Sequence, residues 1–157
     1  MLMLILYVVS CVSIASGSIR VWNASQNGPL ESIKINATGG LQSILVTSTN
    51  QRVLASTGDG SIIVHSLLHG RAEYRTGAGH TDTIFECVYH PVSSELIATA
   101  SYDGTIKIWN ISTLTLVRTL RTEGDSLLYC CSWSMRGRTI AASTGIIIQY
   151  TTNLCSI

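Results

Sequence analysis

Two apolar stretches flank Asp103-Gly104 in the segment Leu96-Ile-Ala-Thr-Ala-Ser-Tyr-Asp-Gly-Thr-Ile-Lys-Ile-Trp-Asn110, and the same arrangement recurs along the chain. It returns in Val53 to Ser66, where Asp59-Gly60 is the turn and His65 takes the aromatic place. Upstream, Val9 to Asn23 sets Gly17 opposite Gly104 and Trp22 opposite Trp109. A degraded copy runs from Thr139 to Thr151, with Gly145 and Tyr150 in the corresponding places. The aromatic place therefore returns every 40–45 residues or so, about the length of one small supersecondary unit that must stack on its neighbours to bury its faces. An Asp-Gly between alternating stretches predicts a hairpin, of type I′ if both central residues take positive φ. In the second strand of the clearest copy, Ile106, Ile108 and Asn110 face one way and Thr105, Lys107 and Trp109 the other.

The unit around this hairpin reads as four strands. Thr83 to His90 is the innermost, Pro91 to Glu95 a turn, Leu96 to Ser101 and Thr105 to Asn110 the middle pair, and Leu116 to Arg121 the outermost. No segment carries a sustained helical period, so the chain is expected to be all-β. Gly79-His80 before the unit and Trp109-Asn110 at its end complete a pattern that resembles the WD-repeat family, with Asn where the family name has Asp.

The resemblance implies a partial WD-repeat β-propeller of about three and a half four-stranded antiparallel blades, not a closed ring. The blades are expected near 1–35 (truncated), 36–78, 79–121 and 122–157 (truncated), as one incomplete domain. It also implies a non-catalytic scaffold for protein–protein interaction, a fragment of a longer propeller. By the same resemblance His80, Ser101, Asp103 and Trp109 form a buried hydrogen-bonded tetrad. The residue types suit it, since Asp accepts, His both donates and accepts, and the indole only donates. The same His80, Ser101 and Asp103 could be taken for a hydrolase triad, but the repeat accounts for them structurally. The other copies lack the full set: His65 replaces Trp in the second, and Thr144 stands where Asp belongs in the fourth, so these blades are expected to be looser. Family binding surfaces lie on the loop before the innermost strand and the turn between the middle strands. Here these are Asp82, Thr83 and Tyr102 on the best blade and Gly58 on the second, with Tyr102 the residue to test.

Composition narrows the alternatives. The formal net charge is +1 and the basic residues are dispersed, so nucleic acid is not an expected partner. His80, Cys87 and His90 do not make a convincing metal set, because Cys87 and His90 fall on opposite faces of one strand or just beyond it. The five cysteines show no Cys-x-x-Cys spacing and read as reduced, mostly buried thiols, with Cys130 and Cys131 pointing apart. Gly39-Gly40 and Gly58-Asp59-Gly60 lack the Lys and helix start of a phosphate loop. Thus no catalytic, cofactor or metal site is expected, and the partners are other proteins. The apolar run Leu2 to Ala15 reads either as blade strands or as a signal-peptide core without a preceding basic residue. The first reading places the chain in the cytoplasm or elsewhere inside the cell, with no membrane contact. The second makes it a secreted or membrane-delivered β-domain, with sequons at Asn23, Asn36 and Asn110.

Overall fold

The computed structural model describes residues 11–15, 17–22, 29–47, 51–67, 71–75, 79–121, 126–144 and 147–151, and every regular element among them is a β-strand. Strands β1 (Cys11–Ala15), β2 (Ser18–Trp22) and β3 (Pro29–Lys34) form the first sheet. The second contains β4 (Leu41–Val46), β5 (Arg52–Thr57), β6 (Ile62–Ser66) and β7 (Arg71–Arg75). The third contains β8 (Ile84–Tyr89), β9 (Leu96–Ser101), β10 (Thr105–Asn110) and β11 (Thr115–Arg121). The fourth contains β12 (Cys130–Trp133), β13 (Thr139–Ser143) and β14 (Ile147–Thr151). Each sheet is an antiparallel meander of consecutive strands, and the sheets stack in chain order without closing a ring.

The register follows the repeat. In β2, β6 and β10 the pairing to the outer strand slips at the aromatic place, immediately before Trp22, His65 and Trp109. Bulges of this kind re-aim a side chain and twist the strand, so the recurring residues are aimed alike in successive sheets. The apolar run read at the N-terminus contributes Cys11–Ala15 as β1, with Ala15 paired to Ser18; residues 1–10 lie outside the described residues.

The hairpins differ from the type I′ expectation. Gly60 and Gly104 have φ of 79° and 74°, but Asp59 and Asp103 do not share it, since Leu114 is the non-glycine residue with positive φ among those described. The loop is instead longer, closed by Gly104 N donating to Ser101 O at 3.2 Å and Gly60 N to Thr57 O at 3.3 Å. A turn ending in one left-handed glycine needs no strain at the preceding Asp. That leaves the carboxylate free to bond back along the chain.

Middle strands are sandwiched, so alternate residues serve different neighbours. In the third sheet Leu96, Ala98, Ala100, Ile106 and Ile108 pack with Leu128, Cys131, Ile140 and Ala142 of the fourth unit. On the opposite face Ile84, Cys87, Ile97, Trp109 and Ile111 meet Leu54, Ile62 and Val64 of the second. Val53, Ala55 and Leu67 in turn meet Ile19, Val21 and Ile33 of the first sheet. With both faces covered, β6 and β9 are buried at every residue, their polar side chains His65, Ser66, Thr99 and Ser101 included. Each fully buried Ile contributes about 1.5–3 kcal/mol, and that gain exists only when the next sheet is present.

Candidate functional site

The best-formed corner of the molecule lies at the entrance to the third sheet. Its odd-numbered face brings Thr99 and Trp109 toward the loop that carries His80, which is 1% exposed. Neutral His80 protonated on Nδ1 satisfies every partner. Nδ1–H donates to Asp103 Oδ2 at 2.8 Å, and Nε2 accepts the Thr99 hydroxyl at 2.7 Å. Thr99 Oγ1 in turn accepts the Trp109 indole N–H at 2.9 Å. Asp103 also accepts Thr105 Oγ1 at 2.6 Å and the backbone N–H groups of Thr105 and Thr81 at 2.9 and 3.1 Å.

Burial lowers the His80 pKa below the ordinary imidazole value, against the raising effect of its hydrogen bond and charge interaction with Asp103. Burial acting alone would raise Asp103, but the hydrogen bonds from His80 and Thr105 outweigh it and hold the carboxyl well below the usual range. A neutral imidazole against a carboxylate is the state that leaves no buried cation. Gly79 completes the corner, because a Cβ there would collide with the Trp109 ring.

The hydroxyl that joins His80 to Trp109 thus belongs to Thr99, not to Ser101 as the sequence reading had it. Both residues share one face of β9, which is why sequence alone does not separate them. Register does: Thr99 pairs with Lys107 and Ile97 with Trp109, which sets Thr99 diagonally beside the indole. Ser101 lies two residues further on, where its hydroxyl donates to Asp82 O at 3.0 Å and accepts Asp103 N at 3.2 Å. Since both His80 ring nitrogens are engaged elsewhere, the imidazole is not placed to deprotonate Ser101, and the triad geometry is not assembled. By register Ala55 and Ala142 occupy the place of Thr99 in β5 and β13, so neither of those sheets has this hydroxyl. The second sheet closes its turn differently, through Thr57 Oγ1 to Asp59 Oδ1 at 2.6 Å and to Ser61 O at 2.9 Å.

The four surface residues separate into two kinds. Gly58 packs backbone to backbone on Gly39; its N–H donates to Gly40 O at 3.0 Å and its carbonyl accepts Thr83 Oγ1 at 3.0 Å. Thr83 therefore ties the second sheet to the third, and its carbonyl also accepts Tyr102 N at 3.0 Å. Asp82 is exposed, with Oδ1 accepting Thr83 N at 2.6 Å. Tyr102 is half-buried against Phe85, ring centroids 4.2 Å apart, and meets Tyr129 edge-on at 5.2 Å.

Phe85 and Tyr129 were not singled out from sequence. The signal was again the repeat register: Glu86 pairs with Ala100 and Cys130 with Ser143, so Phe85 and Tyr129 hold the same place in successive sheets. Gln42, next to Ser43 opposite Ser56, holds it in the second. In β4 and β8 this residue is the one skipped by a register shift, which turns its side chain out of the ladder.

The remaining candidates are dispersed. Cys87 is buried, its thiol pushed up to about 12 by burial, while His90 Nδ1 accepts the backbone N–H of Ser93 at 2.9 Å and its Nε2 donates to Gly137 O at 3.2 Å. Cys131 is buried and Cys130 exposed, both as free thiols. Among the described residues no group of three His, Cys, Asp or Glu side chains could hold a metal ion. Among the described residues no helix is long and apolar enough to cross a membrane.

Stacked antiparallel sheets of three and four described strands, with a His–Asp–Trp corner, define a WD-repeat propeller fold. Residues 72–110, from β7 to the end of β10, match the family model described as WD40, WD domain, G-beta repeat, and the chain thus carries a WD40 repeat there. The C-terminal WD40 domain of Sif2 superposes with a TM-score of 0.69 at 20% identity, covering 84% of this chain and 36% of that one. Autophagy-related protein 16 of Arabidopsis thaliana is 28% identical over 60% of this chain and 18% of its own length. Protein transport protein SEC13 of Phaeosphaeria nodorum is 36% identical over 43% of this chain and 23% of its own length. The chain thus spans less than a quarter of either relative.

Proposed function

We propose that this chain is a non-catalytic protein-interaction scaffold, a part of a longer WD-repeat propeller acting inside the cell, with blades near 1–35, 36–78, 79–121 and 122–157. The observation that carries this reading is the ring cluster Phe85, Tyr102 and Tyr129, drawn from three separate segments onto one rim of the stack. Tyr129 is 45% exposed and Leu127, two residues before it, 43%. Aromatic rings on a rigid scaffold supply binding energy at protein interfaces at low entropic cost. The corner made by His80, Thr99, Asp103 and Trp109 fixes the turn that presents Tyr102, and has a structural rather than a chemical role.

The fragment reading rests on the sheet faces. Cys130, Ser132, Ala141 and Ser143 lie on the face of the fourth sheet away from the third, where a further blade would pack. Within the WD-repeat class, Gly79 to Cys87 and Leu96 to Asn110 are also similar to the vertebrate WD-repeat-containing protein seventeen, and a related longer chain is the parent we propose.

Quantitative affinity capture from cells tests the scaffold reading. Tyr102→Ala and Tyr129→Ala should each deplete a common set of partners, whereas Met135→Ala, 93% exposed in the β12–β13 connection, should leave that set unchanged. Identical partner sets for all three variants would sink the proposed surface.

A further inference from the structure

The rim that carries the aromatic cluster also carries an anion. Asp82 and Tyr102 are held together by two backbone ties: Ser101 Oγ donates to Asp82 O at 3.0 Å, and Tyr102 N donates to the carbonyl of Thr83 at 3.0 Å. The Asp82 carboxylate is exposed, and no described Lys or Arg makes an ion pair with it. Its neighbour in charge, Glu86, is committed across the blade boundary, where Oε2 accepts Cys131 N at 2.8 Å. The same carboxylate charge acts on the Tyr102 phenol, which is raised above its ordinary value by Tyr129 first and by Asp82 as well.

The rings themselves do not leave a slot for an inserted aromatic. Phe85 and Tyr102 are tilted by 42° at 4.2 Å, and Tyr102 and Tyr129 stand at 84° at 5.2 Å, so the three already contact one another. What they offer a ligand is outer ring face beside an unneutralised carboxylate. Aromatic faces carry negative potential and attract cations, and the attraction strengthens when an anion stands at the edge of the same patch.

We propose that this rim receives a cationic side chain, arginine or lysine, of a partner protein, with the cation resting on Tyr102 and Tyr129 and paired to Asp82. The inference rests on the scaffold reading and adds the chemistry of the partner. Arginine fits better than lysine, because a planar guanidinium can stack on a ring and fork toward a carboxylate at once.

The test is an NMR titration of the intact chain, observing the tyrosine ring resonances, with acetyl-arginine amide as probe and acetyl-citrulline amide as its neutral isostere. Arginine should bind more tightly than citrulline by about two- to fivefold, the ratio an exposed cation–π contact provides. Asp82→Asn keeps the acceptor for Thr83 N while removing the charge, and should reduce that preference while the free chain stays folded. Tyr102→Phe should retain it, and raising the ionic strength from about 0.01 M to about 1 M should weaken it. Equal binding of citrulline, or a preference undiminished by Asp82→Asn, overturns the proposal. The two readings fail separately. If partner capture depends on Tyr102 and Tyr129 but not on Asp82, the scaffold surface stands and its cationic ligand does not.

Discussion

Replacing Thr99 by Val preserves the branched side chain and deletes the one hydroxyl shared by two buried rings. His80 Nε2 at 2.7 Å and Trp109 Nε1 at 2.9 Å then lose their common partner. A buried polar group left unsatisfied costs about 1–3 kcal/mol, and two are created here. A methyl placed that close to ring nitrogens must also move away, adding to the cost. The expected destabilisation is about 2–6 kcal/mol. Ser101→Ala removes two hydrogen bonds at the turn, but next to a half-exposed loop, and should cost only about 1 kcal/mol. Thr99→Ser retains the hydroxyl and should fall near that smaller value. Urea unfolding followed by tryptophan fluorescence measures all three, with stability read from the midpoint at constant slope. The reasoning fails if Ser101→Ala costs as much as Thr99→Val, or if Thr99→Val lies within about 0.5 kcal/mol of the parent chain.

Gly79→Ala should cost about 1–3 kcal/mol by the same urea assay, because its Cβ meets the Trp109 indole; a neutral result would mean that the ring is not packed on this backbone. The His80 pKa is lowered from 6.5, so its contribution to stability is complete above that pH and declines below it, and Asp103, lowered from 3.8, adds a second loss at more acid pH. Thermal melts should therefore show Tm falling on acidification below about pH 6.5, with a shallower fall in His80→Gln, and a Tm that rises with acid contradicts the assignment. Iodoacetamide followed by peptide mapping should label exposed Cys130 in the native chain and leave Cys87 and Cys131 unmodified until urea is added, since burial raises both thiols.

How far the sequence could be read varies with the range of the interaction. Strand β9 was legible to the residue and β10 likewise, because a hairpin depends on neighbours along the chain. The outer strand begins one residue earlier than expected, at Thr115. The turn differs from type I′ in both sheets: Asp-Gly signals a reversal, but the loop is longer than two residues, so only its closing glycine takes positive φ. Thr99 and Ser101 share a face, so choosing between them needed the lateral position of Trp109. The tyrosine cluster was half legible. Tyr102 stood out as a turn aromatic, whereas Tyr129 joins it only because the connection into the fourth sheet is held against the third, with Leu128 N donating to Ser101 O at 3.2 Å.

By itself the sequence determined the repeat, the hairpins, the order of strands within each sheet and the faces that must be buried. These follow from alternation and turn chemistry, which act over a few residues. Tertiary structure decided which hydroxyl joins the buried corner, which glycine yields to a ring, and which aromatic residues gather around Asp82. Those outcomes depend on the register between sheets, where a shift of one residue turns a side chain to the other face. That register is set by the packing of whole blades such as Ile106 and Ile108 against Leu128 and Ile140.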